Sequence, residues 1–275
     1  MLILAHMSDI HIGAPSADSV GRTRAVTRHL ASLPGPLAAV VVTGDIADHG
    51  TAEEYETARE LLDTGLPTIV CPGNHDDRQS FRKAFLRETG SGGTAGGGSG
   101  VGSGSEVGSG GPADGRGDGY GPVNQVLRLD GLTVVLCDSS VPGRPEGYLQ
   151  DETIAWLDAV LTESSGTPTL VGMHHPAAAL GTPYVDEIGL REPERLEKVL
   201  RRHPQVIAVL AGHAHTPAST RFADRPLLVA PGVVNTLLLP AESTARIPVD
   251  LDLPPQFSLH VLDGDRLTTH TRMVV

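Results

Sequence analysis

Pro67-Thr68-Ile69-Val70-Cys71-Pro72-Gly73-Asn74-His75-Asp76 contains a short apolar, partly β-branched run that is stopped by Pro-Gly and followed at once by three polar, coordinating residues. Pro-Gly ends a strand, and residues of the second kind pack poorly but coordinate well, so the stretch predicts a buried strand carrying a site at its carboxyl end. The same arrangement recurs outward along the chain. Asp9-Ile10-His11 follows the run at residues 2–7, and Gly44-Asp45 follows residues 37–43. His174-His175-Pro176 follows residues 169–173, and Gly212-His213-Ala214-His215 follows residues 206–210. Five such motifs predict strands whose carboxyl ends gather at the edge of one sheet, where open α/β folds place their sites.

Helices alternate with these strands. Residues 22–33 suit one, and Thr51-Ala52-Glu53-Glu54 is a capping box that predicts another running to Asp63. Asp130-Gly131 between residues 126–129 and 133–137 predicts a hairpin, as does Asp263-Gly264-Asp265 between 257–262 and 267–273. Residues 152–161 read as an amphipathic helix with Ile154, Trp156, Leu157, Val160 and Leu161 toward the core. The expectation is a single domain over 1–275 with mixed sheets. Residues 90–119 depart from this pattern: glycine fills about half of them and serine many of the rest. Such a segment buries too little apolar surface to offset its ordering entropy, which predicts a flexible insertion. It is not a phosphate-binding loop, because no strand leads into it and no Gly-Lys-Ser/Thr element is present.

The 275 residues carry a formal net charge of -12. That balance argues against a nucleic-acid polymer or an anionic membrane surface as partner, since both need basic patches. An anionic substrate would then need positive charge from bound cations. The two cysteines, Cys71 and Cys137, lie inside strand-like runs and read as buried thiols. Met1-Leu2-Ile3-Leu4-Ala5-His6 lacks the basic and long apolar regions of a signal peptide, and no apolar run reaches membrane-span length. A cytoplasmic protein is the expectation, with a homodimer left open.

A dinuclear hydrolytic site needs a carboxylate able to bridge two ions about 3.5 to 4 Å apart, with terminal ligands and an open position for water and substrate. Asp45, at the end of the second strand, is the natural bridge. Asp9 and His11, two apart, can face one ion together if the backbone there leaves strand geometry. His213 and His215 read as neighbours on one side of an extended segment. The mixed nitrogen and oxygen donors suit Mn, Fe or Zn better than Ca or Mg.

The order and spacing of the five motifs resembles the calcineurin-like metallophosphoesterases. That resemblance implies a four-layer αββα sandwich with mixed β-sheets. It implies a first ion held by Asp9, His11, Asp45 and His215, and a second by Asp45, Asn74, His174 and His213. His174 is preferred to His175 because family motifs read His-any-Pro with the first histidine as ligand. His75 would reach the phosphate and leaving group as general acid, with Asp76 as its orienter and Asn74 also near substrate. A hydroxide bridging the two ions would attack phosphorus in line, so no serine or cysteine nucleophile is needed.

Within the family, Gly44-Asp45-Ile46-Ala47-Asp48, Gly147-Tyr148-Leu149 with Ala155-Trp156-Leu157, and Leu227-Leu228-Val229-Ala230-Pro231 resemble the class III cyclic-nucleotide phosphodiesterase and glycerophosphodiesterase branch. The expected function is therefore hydrolysis of small phosphodiesters, led by 3′,5′-cyclic nucleotides such as cAMP. The alternatives are a glycerophosphodiesterase or broad phosphomonoesterase, and a non-catalytic metal-binding scaffold. Aromatic residues make up 3% of the chain, and no base-stacking signature is legible. Discrimination is expected from the rim loop after His175, residues 176–190, with Tyr184 as its substrate-contacting residue.

Overall fold

The computed structural model describes residues 1–86, 106–110 and 121–275. The first half runs β1 (Leu2–Met7), α1 (Ser19–Ser32), β2 (Ala39–Thr43), α2 (Ala52–Leu62), β3 (Thr68–Cys71) and α3 (Arg78–Phe85). There follow β4 (Glu106–Gly110), β5 (Asn124–Leu129), β6 (Leu132–Leu136), β7 (Gly147–Tyr148), α4 (Asp151–Glu163), β8 (Thr169–Gly172), α5 (Pro183–Glu187), β9 (Leu190–Arg191) and α6 (Pro193–Arg202). The chain ends with β10 (Val206–Ala211), β11 (Ala218–Phe222), β12 (Arg225–Val229), β13 (Thr236–Leu237), β14 (Val249–Asp250), β15 (Gln256–Asp263) and β16 (Arg266–Met273).

Two sheets hold the main strands. One has the order β16-β15-β1-β2-β3, and the other β11-β12-β10-β8-β6-β5-β4. Within the first, β1, β2 and β3 are parallel. Within the second, β6, β8, β10 and β12 are parallel. Side chains on a strand alternate between faces, and here both faces are buried, which is why these runs are continuously apolar. Leu4, Val41 and Ile69 of one sheet meet Val134, Leu136, Leu170 and Leu210 of the other. The opposite faces carry Met7, Val40, Val42 and Val70 against Val26, Leu30, Tyr55 and Phe81 of the first three helices. Val135, Val171 and Val209 pack against Leu157, Leu161, Leu196 and Leu200 of α4 and α6. Three cores between four layers make the αββα sandwich. Among the described residues no helix is long and apolar enough to cross a membrane.

The five motifs therefore end strands of two facing sheets, not one. Three follow β1, β2 and β3, and two follow β8 and β10. An apolar run reads the same in either sheet, so pattern could not assign them. Helix α1 begins earlier than the expected residue 22 because the Asp18 side chain accepts from Gly21 N and caps it. The expected capping box at Thr51 and Glu54 is present. The hairpin of β11 and β12 carries no glycine signal, since Ala223 and Asp224 take the positive φ values themselves. Of residues 90–119, only β4 is described, paired antiparallel with β5 at the sheet edge. The expectation of a flexible insertion otherwise lies outside the described residues.

One ion pair ties the layers together near the site. Arg78 at the start of α3 is buried, its Nε lies 2.8 Å from the buried carboxylate of Asp138 beyond β6, and its Nη2 donates to Ser140 O at 2.7 Å. Removing one member leaves an uncompensated buried charge, which costs about 3–5 kcal/mol. Arg78→Met should therefore lower the unfolding free energy in urea by about that amount, and a loss below about 1 kcal/mol would show that the pair is dispensable.

Candidate metal centre

The strand ends converge through unusual backbone geometry. Among the described residues, eight non-glycine residues have positive φ, and five of them are Asp9, His11, Asp45, His213 and His215, at 54°, 41°, 49°, 67° and 50°. Left-handed conformations cost of order 1–3 kcal/mol each and persist where surrounding structure over-determines them. The turn out of strand geometry expected at Asp9 and His11 is present. His213 and His215 are not on an extended segment as the alternation suggested. Both lie in left-handed turns, and the intervening Ala214 is fully buried in the core beside α4 and α6. Gly44, at φ 88°, permits the close approach of β2 to β8: a Cβ there would stand 2.5 Å from His174 Nδ1.

Partners on the outer side of each ring fix its inner nitrogen. His11 Nδ1 donates to Asp48 Oδ1 at 2.9 Å, His174 Nδ1 to Thr43 O at 2.7 Å, and His215 Nδ1 to Asn235 Oδ1 at 2.7 Å. Those acceptors can only accept, so each Nδ1 carries a proton and, in the neutral ring, each Nε2 points a lone pair inward. His11 Nε2 lies 3.3 Å from His215 Nε2 and 3.3 Å from Asp45 Oδ2. His215 Nε2 lies 3.3 Å from Asp9 Oδ1, a buried oxygen without a hydrogen-bond partner. On the other side of Asp45, His174 Nε2 lies 3.4 Å from Asp45 Oδ2, 3.1 Å from Asn74 Oδ1 and 3.1 Å from His213 Nδ1. Two nests of acceptors share Asp45, and lone pairs this close repel unless a cation lies among them. The donor set fits a pair of borderline metal ions.

The electrostatics agree. Burial opposes charge on Asp45, yet His174 and His11 outweigh it and hold the carboxyl well below its ordinary range. Burial likewise opposes a charged His174, but Asp45 and Asp9 push it up to about 9. The site draws positive charge.

His175 has no inward lone pair. Its Nε2 donates to Pro145 O at 3.1 Å and its Nδ1 accepts from Ser139 Oγ at 2.8 Å. Burial, with His174 beside it, holds it down at about 3, so it is a neutral support. It does stand within ligand distance of His174 and His213. Both of its nitrogens are already satisfied, so this proximity does not make it a ligand.

His75 sits at the open side, 42% exposed at its side chain, with Nδ1 donating to Asp48 O at 3.0 Å. Its ring stands edge-on to His11 at 4.7 Å. The expected role of Asp76 as its orienter is corrected here. The Asp76 carboxylate accepts from Ile46 N, Ala47 N, Gly73 N and the Tyr55 hydroxyl, and holds the loops together instead. Burial, with Asp45 nearby, pushes it up to about 6. Sequence reasoning missed Asp48, which binds His11 through its side chain and His75 through its carbonyl, although it ends the phrase Gly44-Asp45-Ile46-Ala47-Asp48. Asn235 had no local signal at all. Tyr184 lies on α5 and lines a cavity of about 280 Å³ whose walls include none of the nest residues.

Fold and site together define a metal-dependent phosphoesterase. The chain belongs to the calcineurin-like phosphoesterases, whose family profile matches residues 2–217. It is 29% identical over 278 residues to a glycerophosphodiester phosphodiesterase of Enterobacter lignolyticus, covering 98% of this chain and 90% of that one. It is 28% identical to a cAMP/cGMP dual specificity phosphodiesterase of Mycobacterium tuberculosis, over 85% of this chain and 68% of that protein. A 3′,5′-cyclic adenosine monophosphate phosphodiesterase of Pseudomonas aeruginosa is 25% identical over 98% of this chain and 88% of its own. In fold, the chain is similar to a dimetal phosphatase from Danio rerio, with a TM-score of 0.67 at 17% identity, covering 100% of this chain and 96% of that one.

The doubled histidine gives a direct test. His174→Ala should lose metal by elemental analysis, whereas His175→Gln should keep the wild-type metal content. Metal loss in the His175 variant alone would reverse the assignment.

Proposed function

We propose that this chain is a dinuclear metal-dependent phosphodiesterase for small phosphodiesters, with 3′,5′-cyclic nucleotides such as cAMP as the leading substrate. The observation that carries the reading is the pair of inward-facing acceptor nests sharing Asp45, with His75 at their open side. Asp9, His11, Asp45 and His215 would hold one ion, and Asp45, Asn74, His174 and His213 the other. Manganese, iron and zinc all suit these donors. When bound, such a pair supplies Lewis acidity to the phosphoryl oxygens and makes water acidic enough to act as nucleophile near neutral pH.

The remaining work falls to the chain itself. Asn74 and His75, just after β3, would reach a phosphoryl group held between the nests. As a P–O bond to the alcohol breaks, the departing oxygen needs a proton, and His75 is the exposed titratable group placed to give one. With Nδ1 committed to Asp48 O, its Nε2 is the donating atom. Neither cysteine competes as nucleophile: both are buried, and burial drives their thiols upward, so no thiolate forms near neutral pH.

The substrate reading draws on relatives of both kinds. Two of those named above act on cyclic nucleotides, while the glycerophosphodiester phosphodiesterase, at 29% over nearly the whole chain, favours glycerophosphodiesters as the second reading. Turnover of cAMP, a glycerophosphodiester and bis-p-nitrophenyl phosphate by metal-loaded protein, with metal analysis of the same sample, tests both. Turnover of none of them would leave the scaffold reading.

Because Asp45 faces both nests, Asp45→Asn should abolish activity and lower total metal content, while His11→Ala should be partly rescued by excess metal. Equal, mild losses in the two would contradict a shared bridge. His75→Ala should retain metal stoichiometry while kcat falls by a factor on the order of 10² to 10⁴. Loss of an ion in that variant would place His75 among the ligands instead.

A further inference from the structure

Two loops leave the metal centre and face each other across a cavity of about 280 Å³. The first follows His175 and is closed at its base by Leu190 N donating to Pro176 O at 3.1 Å. The Asp186 carboxylate, accepting from Leu180 N and Gly181 N, braces it from within. The second follows Asn235, the partner of His215, and is pinned where Leu237 N donates to His215 O at 3.3 Å and Leu238 N to Pro248 O at 2.7 Å. Each loop is thus rooted on a residue of the centre or beside one, and the space between them is built in advance of any ligand.

The lining has a definite chemistry. Tyr184, Leu238 and Pro248 offer flat or apolar faces, with Thr182, Glu187 and Arg246 among them. Thr182 is 2% exposed, and its hydroxyl has no hydrogen-bond partner. A buried hydroxyl left so costs free energy that a donor or acceptor can recover. Arg246, exposed at the cavity, makes no ion pair with a carboxylate among the described residues, and neither does Glu187.

We infer that this cavity receives the nucleoside part of the substrate, with Arg246 and Thr182 as specificity residues, an inference that rests on the phosphodiesterase reading above. The volume is just under the roughly 300 Å³ at which sites for drug-sized ligands begin, which suits a group of nucleoside size and not a polymer. A planar base stacks on Tyr184, and a guanidinium meets the acceptors of a base or ribose edge with several donors at once. Tyr184 with Glu187 would also suit an ammonium headgroup such as choline. A trimethylammonium offers the Arg246 guanidinium and the unpartnered Thr182 hydroxyl nothing to bond, whereas a base or ribose edge supplies partners for both, and this decides between the two classes of alcohol. A single aromatic residue drawn from α5 and an arginine about sixty residues later are invisible as a stacking site in the sequence.

The test compares kcat/KM for cAMP, glycerophosphocholine and bis-p-nitrophenyl phosphate in metal-loaded wild type, Arg246→Gln and Thr182→Val, with adenosine binding followed by calorimetry. Arg246 is exposed, so its variant keeps the fold if Thr182→Val does not. The ratio of kcat/KM for cAMP to that for bis-p-nitrophenyl phosphate should fall at least tenfold in Arg246→Gln, and adenosine affinity should fall with it. A ratio that stays within twofold of wild type, or a loss confined to glycerophosphocholine, overturns the assignment. Failure of the phosphodiesterase reading shows separately, as wild-type protein that turns over none of the diesters. In that event, adenosine binding by the wild type that is lost in Arg246→Gln still supports the cavity, and its absence in the wild type overturns it.

Discussion

Inward-facing ring nitrogens and carboxylate and amide oxygens are held within 3.1 to 3.4 Å of one another around Asp45, and much of this fold serves that confrontation. Acceptors in water turn apart. Here they are kept facing by ring Nδ1–H groups that donate outward to Asp48, Thr43 and Asn235, and by five residues in left-handed turns. The cost of that arrangement is offset by the three apolar cores, which is the usual division between a stable scaffold and a strained site.

The sandwich explains how such strain is tolerated. Parallel strands in each sheet end on the same side, so two facing sheets bring five loops to one cleft without any long excursion of the chain. The loops then lock one another. Asp76 ties the loop after β3 to the one after β2, and Asp9 Oδ2 accepts from His213 N across the two sheets at 3.1 Å. Ser8 and Thr43 face Gly212, where any Cβ would collide with both. Close backbone approach of this kind is possible only with glycine.

If the cavity receives the nucleoside, chemistry and discrimination belong to different loops. The nests and His75 belong to loops fastened by buried hydrogen bonds, whereas the cavity beside Tyr184 is walled by surface loops. A phosphoryl group is the same in every diester, so its binding residues can be rigid and shared. The alcohol differs, and it would then fall to loops that can change without disturbing the layers beneath.

The sequence by itself determined the strands that carry the five motifs and the residues that could bind metal, and the αββα class followed from its resemblance to a known family. Apolar runs buried on both faces, and polar clusters at their ends such as Gly73-Asn74-His75-Asp76, are local signals that survive any arrangement of the rest. Tertiary structure alone decided the other points, because they depend on what stands opposite each side chain. His174 and His175 are identical in type and adjacent in sequence. Only the neighbours differ, with Thr43 O leaving one nitrogen of His174 free while Ser139 and Pro145 occupy both of His175. Asp76 and Asp48 were exchanged for the same reason: the nearer carboxylate in sequence faces backbone amides, and the farther residue supports His11 through its carboxylate and His75 through its carbonyl. The split of the motifs over two sheets, and the meeting of Tyr184 with Arg246 across a cavity, are long-range pairings that no periodicity of 2 or 3.6 residues records.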